Sequence, residues 1–210
     1  MPEMTDIDWK LAVVDWRDQT FELYREVREL HPADPEGAFG LFRATRDDLF
    51  RDHPASPLDD GQRRDFETLP YFDYCHEFNV DADLIPVANG QHLEIELGDD
   101  GALRLAHVAE ARFSLAGAPC SLPVYWLDGY GGGIFIPFQD ASNGAGTYGG
   151  GRYLCDTRKG AHLGYVAGRI RLDFNFAYNP SCSYNERWVC PLPRAESRLA
   201  VVIRAGERWR

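Results

Sequence analysis

Lysine is nearly missing from this 210-residue sequence: Lys10 and Lys159 stand against 20 arginines. We read that as a coding bias toward arginine. Basic charge of either kind is also short, with 22 Lys and Arg against 33 Asp and Glu for a net charge of −11. A general nucleic-acid surface is excluded on that ground, because neutralising phosphates needs clustered cations. No apolar run approaches the ~18 residues of a membrane span. The first residues, Met1-Pro2-Glu3-Met4-Thr5-Asp6, lack the basic and apolar regions of a secretory signal. A soluble, cytoplasmic protein with no membrane partner is therefore expected. Cys75, Cys120, Cys155, Cys182 and Cys190 contain no C-x-x-C pair, which argues against a zinc knuckle or a thioredoxin-type site. An odd count without a signal predicts reduced thiols. No metal and no cofactor are expected.

What the sequence does hold is a globular composition, 44% hydrophobic with 13 Pro and 20 Gly. Its texture changes near Arg64. Before it, Trp9, Val13, Trp16, Leu23, Val27 and Leu30 recur at three- and four-residue steps, which predicts an amphipathic helix from Ile7 to Leu30. Thr5 or Asp6 can cap its start, and His31-Pro32 ends it. The aromatic side chains Trp9, Trp16 and Tyr24 are its packing stripe. A second helix is predicted from Pro35 to Phe50, followed by the extended connector His53-Pro54-Ala55-Ser56-Pro57-Leu58. Residues 1–60 also carry most of the acid excess, 15 acidic against 7 basic side chains, whereas residues 61–210 carry 18 and 15.

After Arg64, period-two segments separated by turn signals predict nine short strands, at Phe66–Val80, His92–Leu97, Leu103–Ala109, Ala111–Leu115, Leu122–Leu127, Ile134–Phe138, Gly151–Cys155, Gly168–Phe176 and Leu199–Ala205. The fold class is mainly β (α+β): an antiparallel β-barrel or sandwich with one or two N-terminal helices packed on it. Residues 1–64 form the helical segment and 65–210 the β-rich part, read together as one structural domain.

Nine of the 20 glycines fall between 129 and 151. No Gly-Lys-Ser/Thr follows, so this is not a phosphate loop, and a strand stands where a dinucleotide fingerprint needs a helix. Either the glycines make tight turns, or they keep the backbone bare for close approach. Four motifs stand in that region and beyond it: Phe135-x-Pro137-Phe138-x-Asp140; Thr147-Tyr148-x-x-Gly151-Arg152-Tyr153-Leu154; Leu172-Asp173-Phe174-Asn175-x-Ala177-Tyr178-Asn179-Pro180-x-Cys182-x-Tyr184; and Cys190-Pro191-x-Pro193. Together they resemble the domain of unknown function family 1684, strongly over residues 134–207 and more thinly from His53 to Tyr74. The resemblance implies a compact β-rich domain and no established activity. Arg194 and Ser197 depart from the proline and asparagine usual in that family.

The same motifs supply the candidate site. Asp173, Asp140 and Tyr184 are the candidate acid/base groups. Arg152, Asn175, Tyr148, Tyr153, Tyr178, Asn179 and Thr147 are the candidate ligand-binding groups, with Arg152 as an anion anchor. Period two orients Asp173 and Asn175 together, and Arg152 and at least one of Tyr148, Tyr178 and Tyr184 are expected within hydrogen-bonding range of that pair. Two functional classes follow: an enzyme acting on a small polar or anionic metabolite by acid/base chemistry, or a non-catalytic ligand-binding or interaction domain. A third reading gives these residues no site at all, only a buried polar network in which Arg152 pairs with Asp140 or Asp173. Cys182 and Cys190 are read as buried reduced thiols, with a nucleophile-and-resolving pair or a disulfide as alternatives. His76 with Asp73 and Glu77, and His92 with Glu94 and Glu96, are the weak metal sets; the second spreads over ~13 Å of one strand and reads as a solvated face. A homodimer is compatible with the sequence.

Overall fold

The structure, a computed structural model, describes residues 5–98 and 101–209. The chain divides into two compact units, Met1–Leu69 and Pro70–Arg210. No helix among the described residues is long and apolar enough to cross a membrane.

Among the described residues the first unit holds three α-helices, α1 (Asp6–Leu30), α2 (Pro35–Asp52) and the short α3 (Asp60–Arg64). Thr5 caps α1 through a reciprocal box: the Asp8 amide donates to Thr5 Oγ1 at 3.3 Å, and the Thr5 amide donates to Asp8 Oδ2 at 3.2 Å. Asp34 caps α2 with Pro35 in its first turn, where a missing N–H costs nothing. The apolar stripes meet as the periodicity requires, with Tyr24 packed edge-on to Phe42 at 5.8 Å and Trp16 beside Phe50 at 5.8 Å. His53 Nε2 lies 2.9 Å from the Asp15 carboxylate, which that contact holds below the usual aspartate range.

The second unit is an antiparallel half-barrel of eight strands: β1 (Asn79–Pro86), β2 (His92–Glu96), β3 (Ala102–Leu115), β4 (Ala118–Leu127), β5 (Gly133–Phe138), β6 (Arg152–Asp156), β7 (Tyr165–Val166) and β8 (Arg169–Asp173). They lie in the order β6-β5-β4-β3-β1-β8-β7, with β2 paired to the early part of β3. The two strands expected at Leu103–Ala109 and Ala111–Leu115 are one long strand. An irregularity between His107 and Ala109 in its pairing with β4 adds local twist and helps curl the sheet. One side of β5 sends Ile136 and Phe138 into the main core with Leu122, Leu172 and Phe174; Phe135 points the other way, into a smaller cluster with Leu105, Tyr125 and Tyr153.

Three expected strands are different. Phe66–Val80 becomes a bridge at Tyr71, a 3₁₀ turn at His76–Phe78 and only then β1. Gly168–Phe176 stops at Asp173, because the Asp173 carboxylate caps a 3₁₀ turn over Phe174–Phe176 by accepting the Asn175 amide at 3.0 Å. Leu199–Ala205 alternates between buried or half-buried and exposed positions but builds no ladder. It runs beside residues 139–141, with a parallel bridge from Gln139 to Arg198 and a hydrogen bond from the Ala141 amide to Val201 O at 2.9 Å.

Candidate functional site

Arg152 opens β6 and is completely buried. Its guanidinium pairs with Asp140 Oδ1 at 3.4 Å, donates to the carbonyls of Ile203 and Glu207 at 3.2 Å each and to that of Ala205, and covers the Phe138 ring at 5.0 Å. Three carbonyls two residues apart would span ~13 Å in a straight strand. The segment therefore has to wrap around the guanidinium. Gly206 makes the bend at φ +76°, and a Cβ there would stand 2.6 Å from Phe174 O and 2.7 Å from Ala177 O. Burial lowers the Arg152 pKa to about 10, against the raising pull of Asp140 and Glu207, so it stays a cation at neutral pH. Asp140 is equally enclosed. Its Oδ2 accepts the Ile203 amide at 2.7 Å, the Ser142 hydroxyl at 2.7 Å and the Ser142 amide at 3.2 Å. Thr147 is buried behind it, its hydroxyl 2.9 Å from that of Ser142.

Asp173 and Asn175 do lie together, but Arg152 is not bonded to them. Asp173 Oδ1 accepts both the backbone amide and the side-chain Nδ2 of Asn175, at 3.0 and 2.7 Å, and Oδ2 accepts the Tyr74 hydroxyl at 3.0 Å. Asn175 in turn grips the backbone of Cys75: Oδ1 accepts its amide and Nδ2 donates to its carbonyl, both at 2.9 Å. The expected approach of Arg152 fails because the strand ends at Asp173. The 3₁₀ turn swings Asn175 back onto its own neighbour, while the guanidinium is taken by residues 203–207. Asp173 and Asn175 are both buried.

The remaining candidates gather where the glycine-rich turn, residues 177–184 and the C-terminal segment meet. Gly151 carries φ +94°, and a Cβ on it would clash with Phe138 O at 2.7 Å, so the turn bearing Tyr148 closes only over glycine. Buried Glu207 accepts the Asn179 amide at 3.0 Å and the Tyr184 hydroxyl. Asn179 Nδ2 donates to Arg208 O at 3.0 Å, which fixes the amide's orientation. Its Oδ1 is buried and accepts no hydrogen bond from the described residues. Tyr148 packs on Trp209 at 4.8 Å, and Tyr178 packs edge-on to Tyr153 at 5.8 Å. Tyr148, Tyr178 and Tyr184 are half-buried, so this patch meets solvent.

Tyr153 donates its hydroxyl to Pro191 O at 2.9 Å, and burial, followed by the nearby Cys190 and Cys182, raises its pKa well above 10. A phenol with a raised folded pKa stabilises the fold below the unfolded value near 10, and that contribution is lost as pH climbs past it. In an alkaline absorbance titration, Tyr153→Phe is expected to remove one phenol from those that ionise only in the cooperative unfolding step. Loss of a phenol that titrates freely near pH 10 would contradict this placement.

The sequence reading missed Glu207, Ser142 and Tyr74. Glu207 lies in an Ala-Gly-Glu step whose glycine signals a bend, and that was the available clue. A cavity of about 490 Å³ bordered by Asp81, Asp83, Arg112 and Arg169 contains none of the predicted residues. No cluster of three or more metal-ligating side chains occurs among the described residues.

A family model described as a protein of unknown function (DUF1684) matches residues 64–208. The solution structure of an uncharacterized protein from Haloarcula marismortui is similar, at 33% sequence identity and a TM-score of 0.61, over 83% of this chain and 94% of that one. No curated protein matches the sequence.

Proposed function

Because the chain belongs to the DUF1684 family, whose description assigns no activity, we propose a function from its own side chains: it binds a small polar ligand, without transforming it, at the Tyr148–Asn179–Tyr184 patch. The observation that carries this reading is Asn179 Oδ1. Buried carbonyl oxygens are nearly always bonded, and an unpaired one costs about 1–3 kcal/mol. Its orientation is locked by Arg208 O, so it cannot turn away. It therefore favours a ligand bearing an N–H or O–H donor. Half-buried Tyr148, Tyr178 and Tyr184 and the Trp209 ring, on the segments that meet there, offer flat apolar walls to such a ligand.

Acid/base catalysis is the weaker reading. Asp140 and Asp173 each accept three or more hydrogen bonds in a buried setting, which leaves little of either carboxylate to take a substrate proton.

The test is a screen of the full chain against a panel of small amides, amines and polyols by thermal denaturation and amide chemical shifts. A binder at 100 times its Kd should add about 2.7 kcal/mol of stability. Its shifts should fall on the Asn179 side chain, the Trp209 indole and residues 178–184, and Asn179→Leu should abolish them. Binding confined to the cavity near Arg112 and Arg169, or no binding by any compound, would contradict the proposal.

A further inference from the structure

Cys182 and Cys190 meet although seven residues separate them. The Cys182 amide donates to Cys190 Sγ at 3.4 Å, so the two cysteines stand side by side. Both are half-buried, so a small reagent can reach them. The other cysteines are placed differently. Cys155 is fully enclosed in the main core, and burial drives its thiol pKa up. Cys120 is held up by burial too, and Cys75 has its backbone clamped by Asn175.

We propose that Cys182 and Cys190 are a thiol–disulfide exchange couple, Cys190 attacking and Cys182 resolving, whose co-substrate is a disulfide of low molecular weight. The asymmetry comes from the surroundings. The adjacent Cys182 thiol and the Cys182 and Ser181 amides, with the Lys159 charge nearby, hold the Cys190 thiolate at lower pH than burial alone would allow. Cys182 is pushed the other way. The Cys190 thiolate attacks one sulfur of RSSR, forming Cys190–S–S–R and releasing RS⁻, which takes up a proton. Cys182 then gives its proton to solvent and attacks Cys190 Sγ. The bond from Cys190 to R breaks, the second RS⁻ leaves and is protonated, and the Cys182–Cys190 bond forms. The protein is oxidised by two electrons and RSSR is reduced to two RSH. Oxidation also removes the thiol that Tyr148 contacts. The proposal stands apart from the ligand reading above, since it needs neither Asn179 nor a bound metabolite.

The test incubates the native full chain with glutathione disulfide, quenches with acid, alkylates and digests with trypsin. Cys182 and Cys190 fall on separate peptides, Leu172–Arg187 and Trp188–Arg194, so the bond is read directly as their cross-link. The expected result is that cross-link, with Cys75, Cys120 and Cys155 still alkylated after denaturation. Cys182→Ser should stop at a glutathione adduct on Cys190, and Cys190→Ser should slow the reaction about tenfold or more. A folded chain that takes glutathione on Cys75 or Cys120 first, that forms the adduct without closing it, or that does not react would overturn the proposal. The cross-link on the unmutated chain decides the matter even where a variant fails to fold.

Discussion

Arg152→Met is expected to destabilise the β-rich unit by ~3–5 kcal/mol, the loss typical of removing one partner from a buried ion pair. Methionine approximates the volume but leaves Asp140 as a buried charge with its strongest partner gone. It also strips the carbonyls of Ile203, Ala205 and Glu207 of a shared donor. Arg152→Lys should rescue little, because one ammonium cannot fan out to four acceptors as a guanidinium does. Urea unfolding measures the loss. Amide exchange adds the location, since residues 203–207 should lose protection before the strands do. A change below ~1 kcal/mol would show that the C-terminal segment is held by its apolar side chains alone.

How far the sequence discloses this arrangement depends on how local each cause is. Helix α1 is legible because its cap and its stripe lie within a few residues of each other: Thr5 finds Asp8, and Trp16, Tyr24 and Val27 follow the helical period. The ladder from β2 to β6 is legible for the same reason, since hairpin neighbours are adjacent in sequence. Leu199–Ala205 reads as a strand because alternation reports burial of one side, and an extended segment wrapped around a guanidinium buries alternate residues just as a strand does. The motifs mark candidate residues as a set and say nothing of their geometry. Motifs marked Asp140, Arg152, Asp173 and Asn175 together, yet nothing local says that Asp173 caps its own chain or that Arg152 reaches residues fifty positions away. Asn179 was named for its residue type, but the orphaned oxygen that makes it informative exists only once Arg208 has taken its amide.

The second large effect is at Asp173, where the two readings of the carboxylates part most cleanly. As a structural acceptor it serves the Asn175 amide, the Asn175 side chain and the Tyr74 hydroxyl, and through Asn175 it steadies the Cys75 backbone. Hydrogen bonds to a charged group contribute about 1.5–3 kcal/mol each, and buried donors stripped of their acceptor cost more than the bond is worth. Asp173→Ala should therefore lose ~3–5 kcal/mol. Asp173→Asn keeps the shape but turns one acceptor into a donor facing Tyr74 or Asn175, and should lose ~1–3 kcal/mol.

The most direct measurement is the urea unfolding free energy of Asp173→Ala and Asp173→Asn beside the unmutated chain. A graded loss, alanine worse than asparagine, is the result predicted for a carboxylate that holds the chain together. Unfolding midpoints unchanged in both variants, with ligand binding abolished, would contradict it and make Asp173 part of a working pocket.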